Sequence, residues 1–286
     1  MKNILVPTDF SAAAERAFRA AFEIASQSGG NITLYHSLIP LESVFIETDE
    51  KRRQYNRQTK ANVRKRMRRL INKVAGGSEV EISTVISHLP VISSVLEYGQ
   101  DNDIDLIIMG TQGASGLKKV VLGSIAAAVA GKSNIPVLLV PENAVWQKPG
   151  HIVFATGCRE ADENATAYIL QFAKIYRATV EAVHLYKDDP DNTEKEKKDF
   201  TLYKSYLQKT FGKTNLKFRL IKTASVKSSI EMLDTSVPYD MMAMVRRRKT
   251  LLERFFLTNL TRNMACVTSK PLLIVPETIK SKKAGA

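Results

Sequence analysis

Glycines at 110, 113, 116 and 123, the last followed by Ser124, punctuate the stretch GTQGASGLKKVVLGS, residues 110–124. Such a stretch suits one kind of chemistry, the holding of an anion by backbone amides. Gly113 and Gly116 have no Cβ, so the amides beside them can approach a phosphate closely. Gly123 and Ser124 open a helical run, IAAAVAG, where unpaired N–H groups, the helix dipole and a hydroxyl meet negative charge. Lys118 and Lys119 lie between and can add charge. On spacing alone, a plain flexible connection stays open as the other reading.

The run before it, DLIIM, reads as a buried strand, so Gly110 falls at a strand end. In open parallel sheets, ligands sit beyond the carboxyl ends of strands. Three other nucleotide signatures fail on their context. After the first strand stands PTDFSAAAE, with no GxGxxG. GKS at 131–133 resembles the end of a Walker A loop, but position 126 is Ala126, and the triplet ends a helix; Gly131 reads as its C-terminal cap. SGGN at 28–31 precedes a strand instead of following one.

Strands and helices alternate through the chain, and the alternation occurs twice. NILVPTD at 3–9 lies over HIVFATG at 151–157, and His36 lies over His184, both at an offset of 148. DLIIMG and IPVLLVPE lie over DMMAMV and KPLLIVPE, with Asp105 over Asp240 and Pro136 over Pro271, an offset of 135. Two ends matched at constant offset mark a tandem duplication whose second copy is shorter in its middle. In the first copy, SAAAERAFRAAFEIASQSG has helical periodicity from a Ser11 cap to Gly29. A basic helix covers 51–75, and PVLLVP closes the copy. Strands joined by helices imply crossover connections and a mainly parallel sheet covered on both faces. The domains are expected at 1–142 and 149–277, with a basic tail at 278–286. The two are expected to pack as a pseudo-dimer through PVLLVP and PLLIVP.

Bulk composition narrows the class. The chain has 286 residues, 44% of them hydrophobic, and a net charge of +13. No window approaches a transmembrane span, and the opening MKNILVPTDFS has no secretory pattern. The two cysteines, Cys158 and Cys266, form no CxxC and no cluster with histidine, so the expected compartment is the reducing cytoplasm.

ILVPTDFS, the strand ending YHS, and Gly110-x2-Gly113-x9-Gly123-Ser124 followed by IPVLLVP together resemble the universal stress protein family in its tandem form. The resemblance implies two Rossmann-like, adenine-nucleotide-hydrolase-like α/β domains in tandem, with the glycine motif marking an ATP-binding first copy. It places Pro7, Thr8 and Asp9 along adenine and ribose, Ser37 against the base through its backbone, and Met109 and Gly110 near base and ribose. It gives Gly113, Gly123, Ser124 and Ile125 to the phosphates, and implies ATP with Mg²⁺ as the ligand. Two residues keep a second reading: Asp9 as an N-cap of the first helix, and Met109 as a core residue. In the second copy, Asp9, Gly110, Gly113, Gly123 and Ser124 become Gly157, Val245, Arg248, Thr258 and Asn259. That copy is expected not to bind ATP in the same way.

The expected role is that of an ATP-binding, nucleotide-responsive stress or regulatory protein, not of an enzyme. No catalytic triad or metal cluster stands out among His36, His88, His151 and His184; His36 and His184 read as structural residues repeated in both copies. A slow ATPase is one alternative. Nucleic-acid or anionic-surface binding is another, through residues 51–73, which hold 11 bases and no acid. There, Val63, Met67, Leu70, Ile71 and Val74 form an apolar stripe, so one face packs and the other is cationic. Homodimerisation is left open.

Overall fold

A computed structural model of the chain describes residues 1–39, 48–111, 123–142, 144, 146–159, 162–187, 192–212, 214–223, 237–246 and 270–279. The expectations placed on Gly113, Gly116, Lys118, Lys119, Arg248, Thr258, Asn259 and Cys266, and on the tail past Ile279, lie outside the described residues. The first half runs β1 (Asn3–Pro7), α1 (Ala12–Ser28), β2 (Asn31–Ser37), α2 (Asp49–Ala75), β3 (Ile82–Ser87), α3 (Val91–Asp101), β4 (Leu106–Gly110), α4 (Ser124–Lys132) and β5 (Val137–Val140). The second runs β6 (His151–Ala155), α5 (Glu163–Tyr176), β7 (Thr179–Lys187), α6 (Thr193–Phe211), β8 (Leu216–Thr223), β9 (Met241–Arg246) and β10 (Leu272–Pro276).

All ten strands join one sheet in the order β3-β2-β1-β4-β5-β10-β9-β6-β7-β8. Pairing is parallel within each half, as crossover helices require. At the middle β10 runs antiparallel to β5, with Leu272 against Leu139, Leu273 against Leu138 and Ile274 against Val137. The seam therefore falls on the two closing strands, where the sequence placed it. One consequence is geometric: the carboxyl ends of β1 and β4 lie on one margin of the sheet, those of β6 and β9 on the opposite margin.

Strand residues alternate between two buried layers. Ile4, Val6, Leu106, Ile108, Leu273 and Val275 face the layer of α1, α2 and α5. Leu5, Ile107, Met109, Leu272 and Ile274 face the layer of α3 and α4. Both layers cross the seam, so the halves share one core. Helix α1 packs on α5 there. The Tyr168 hydroxyl also donates to the Asp105 carbonyl across the seam at 3.0 Å. Burial, seconded by the Asp105 charge, holds that phenol far above its ordinary pKa.

The duplication is written into the hydrogen bonds. Asp105 Oδ2 accepts from the amides of Lys2 and Asn3, and Asp240 Oδ2 from those of Gly150 and His151. Thr8 Oγ1 accepts from Phe10 N, and Thr156 Oγ1 from Cys158 N, each at 3.0 Å. Phe10 and Cys158 share a left-handed backbone, φ 64° and 54°. The ring Nδ1 of His36 lies 2.7 Å from the Thr8 carbonyl, and that of His184 lies 2.9 Å from the Thr156 carbonyl. The paired histidines are structural in both copies, as expected. Helix α1 starts on the Ser11 cap and ends at left-handed Gly29, also as expected. Gly131 differs: α4 continues through it to Lys132, and Ser133 is the C-cap, its Oγ bonded to the Ile135 carbonyl and amide. A serine that bonds its own downstream backbone stops the helix without a left-handed residue.

Candidate functional site

On the margin where β1, β2 and β4 end, a cleft of about 420 Å³ opens. Pro7, Thr8 and Asp9 form one wall and Ser37 stands at the end of β2; Met109 and Gly110 end β4, and Gly123, Ser124 and Ile125 close the cleft from α4. Nine of the ten residues singled out in the sequence thus meet in one place; the tenth, Gly113, lies outside the described residues.

The elements explain how each side chain arrives. Parallel pairing of β1 with β2 sets Pro7 opposite Tyr35, and the Thr8 amide donates to the Tyr35 carbonyl at 2.8 Å. The chain then turns sharply through left-handed Phe10, aided by Asp9, whose Oδ1 accepts from Ser11 N at 2.9 Å. Ser11 is the residue that caps α1, so Asp9 braces the turn before the helix and does not cap it. Gly110 is required by close approach: a Cβ there would lie 2.6 Å from the Ala13 carbonyl carbon and 2.7 Å from its oxygen. Only glycine lets β4 end against the first turn of α1. The Ser37 hydroxyl donates to the Leu89 carbonyl at 2.6 Å, so toward a ligand it offers its oxygen as an acceptor beside the backbone. Met109 is 6% exposed and belongs to the α3–α4 layer while bordering the cleft, so both of its readings hold geometrically.

The α4 end has the features of an anion site. Its N-cap, Gly123, offers no side-chain bond to the first-turn amides, and the turn contains no acid. Helix α1, by contrast, has its first turn capped by Ser11. Gly123 N donates to the Thr111 carbonyl at 2.5 Å and its own carbonyl accepts from Ala127 N, which pins the helix start to the end of β4. The Ile125 side chain is 42% exposed at this rim, apolar surface that a bound ring can cover. Among the described residues no group of three His, Cys, Asp or Glu side chains is placed to hold a metal.

Sequence reasoning missed Ala14, Tyr35, His36, Val91, Thr111 and Ala126 as cleft-lining residues. Tyr35 was within reach, because strand pairing sets it beside Pro7. Val91 carried no local signal, since it enters by the packing of α3.

A profile of the Universal stress protein family matches residues 1–141 and again 149–276. The chain belongs to the universal stress protein family. Over 139 residues it is 26% identical to universal stress protein MJ0531 of Methanocaldococcus jannaschii, a match spanning 49% of this chain and 81% of that one. The solved universal stress protein of Archaeoglobus fulgidus superposes over 96% of both chains with a TM-score of 0.59 at 14% identity. A putative universal stress protein of Pseudomonas aeruginosa gives 0.63 at 14% identity, over 96% of this chain and 93% of its own. These solved structures share the tandem α/β fold. Among the described residues no helix is long and apolar enough to cross a membrane.

Proposed function

We propose that the first half binds ATP in the cleft between β1, β4 and α4, and that the protein acts as a nucleotide-responsive regulator. The observation that carries this reading is the amino end of α4, without a side-chain cap among the described residues, facing a cleft beyond the strand ends. Its amides and dipole suit the phosphates. The adenosine would lie over Pro7–Asp9 and Met109, with the Asp9 carboxylate an acceptor for ribose or base. Magnesium would arrive with the phosphates, which supply its oxygens and whose charge it neutralises. In the second half Gly157 brings no carboxylate, and Val245 puts a side chain where Gly110 has none. We assign one such site per chain. The nucleotide works as a switch to the extent that it binds two conformations unequally.

The test is to denature the purified protein, quantify released nucleotide per chain, and titrate the stripped protein with ATP. The reading expects about one adenine nucleotide per chain, the single site assigned above. It also expects loss of binding in Gly123→Val. Gly123 has φ −57° and ψ 145°, a backbone that valine adopts readily, so no backbone strain opposes the substitution, and an unchanged thermal midpoint assigns the loss to the cleft. No binding at about millimolar ATP, an affinity worth only about 4 kcal/mol, sinks the proposal. Phosphate release abolished by Asp9→Ala would instead favour a slow ATPase.

A further inference from the structure

The cleft leaves the most unusual stretch of the sequence unused. Helix α2 contains 11 Lys and Arg, and its only acids, Asp49 and Glu50, are at its start. Five of the bases, Lys51 among them, have contacts of their own. Arg52 pairs with Asp49 and Lys73 with Glu15, Arg66 stacks 4.1 Å over the Phe10 ring, and Lys60 stands 3.5 Å from His88. Arg53, Arg57, Arg64, Lys65, Arg68 and Arg69 are exposed and make no ion pair or hydrogen bond among the described residues. The fold does not demand this. Helix α6 follows β7 as α2 follows β2, yet it mixes Glu194, Glu196 and Asp199 with its lysines.

Arg53, Arg57, Lys60, Arg64 and Arg68 recur every three or four residues and so share one side of the helix. At 1.5 Å per residue they make a cationic row about 22 Å long. Lys65 and Arg69 lie further round the solvent side of the helix. The row is held on a fixed base: Val63, Met67 and Leu70 are buried beneath, Thr48 caps the start, and Lys73–Glu15 ties the end to α1. Because β3 is the outermost strand, α2 lies at one end of the sheet, far from the seam.

We propose that this outer face of α2 docks on the phosphate backbone of a nucleic-acid duplex. Charge selects a polyanion, and the neighbouring residues select among polyanions. Between the cations stand Gln54, Gln58, Ala61, Asn62 and Asn72; the apolar neighbours, Leu38 and Ile39, border only Arg53, Arg57 and Lys60, too small a patch to seat the helix in a membrane. One aromatic, Tyr55, 51% exposed, borders the same pocket as Arg53, Arg57 and Lys60, whereas stacking on unpaired bases uses a succession of rings. Five of the seven cations are arginine, whose planar fork grips phosphate oxygens in pairs. A backbone read without base contacts is bound irrespective of sequence.

The experiment is anisotropy of the full-length protein with a fluorescent DNA duplex across a salt series. Five neutralised phosphates set a log–log slope of about −4.5, so affinity falls about 500-fold between roughly 50 and 200 mM salt. The triple variant Arg57→Gln/Arg64→Gln/Arg68→Gln should flatten the slope to about −2. Glutamine matches arginine in helix propensity, and all three sites are exposed, so its thermal midpoint should stay at the wild-type value. Absence of duplex binding at about 50 mM salt overturns the proposal, as does a slope indifferent to the three substitutions. Tighter binding to the matching single strand, or to phosphatidylserine vesicles, overturns it equally.

Discussion

Gly110 offers the sharpest test of how the cleft is built. Replacing it with alanine adds one Cβ, which would stand 2.6 Å from the Ala13 carbonyl carbon, 2.7 Å from its oxygen and 2.8 Å from its Cβ. Carbon atoms rest about 3.5–4.0 Å apart, so the first turn of α1 and the end of β4 must separate by about 1 Å. Neither gives easily. Ala13, Ala14 and Ala17 are buried against the sheet, and β4 is hydrogen-bonded on both sides. Overpacking of this kind costs about 1–3 kcal/mol. Gly131→Ala is the matched control, because nothing lies within 4 Å of a Cβ there and the residue is inside α4. That substitution should gain about 0.5–1 kcal/mol, the helix preference of alanine over glycine. Urea denaturation of both variants beside wild type reads the difference directly, at unchanged m-value. If Gly110→Ala falls within about 0.5 kcal/mol of wild type, the usual range of a surface change, the close approach is not what fixes glycine there.

Two further outcomes follow from the duplicated backbone and the α1–α2 contact. Gly29 and Arg177 are the equivalent C-caps of α1 and α5, both left-handed, φ 62° and 55°; Arg177→Gly should stabilise by about 0.5–1 kcal/mol in urea melts, since an L-residue is strained there, and a loss would refute the strain. Hydrogen bonding from Lys73 outweighs burial and, with Arg19, holds the Glu15 carboxyl below its ordinary 4.5. The folded pKa is depressed, so this pairing adds stability above pH 4.5 and loses it as pH falls through the folded value. Glu15→Gln should therefore cost under about 1 kcal/mol at neutral pH, given the pair's exposure, and nothing once wild type is protonated; an equal deficit at both pH values contradicts the assignment.

Much of this arrangement was legible in the residues because the chain states it twice. A constant offset joining Asp105 to Asp240 carried, unseen, the same pair of amide bonds at each strand start. The seam was legible because PVLLVP and PLLIVP are apolar on both sides of the strand and have nowhere to go but a shared core. Asp9 was half legible: its place beside the cleft followed from the strand end, but its bond to Ser11 N depends on the left-handed turn at Phe10, which sequence does not announce. Gly131 looked like a cap because glycine usually ends helices; Ser133 ends this one through its own hydroxyl. Val91 reached the cleft through the packing of α3, a long-range effect that no local pattern encodes.

The antiparallel meeting of β5 and β10 has a consequence for how the molecule behaves when scarce. A homodimer built on such a seam comes apart on dilution, and its stability cannot be separated from its abundance. Here the partner strand is tethered in the same chain, so the joint has a fixed effective concentration and closes by first-order kinetics. Symmetry is no longer enforced either. In a two-fold assembly each substitution appears at both sites at once, whereas this chain holds Gly110 in one half and Val245 in the other, and each was free to change alone.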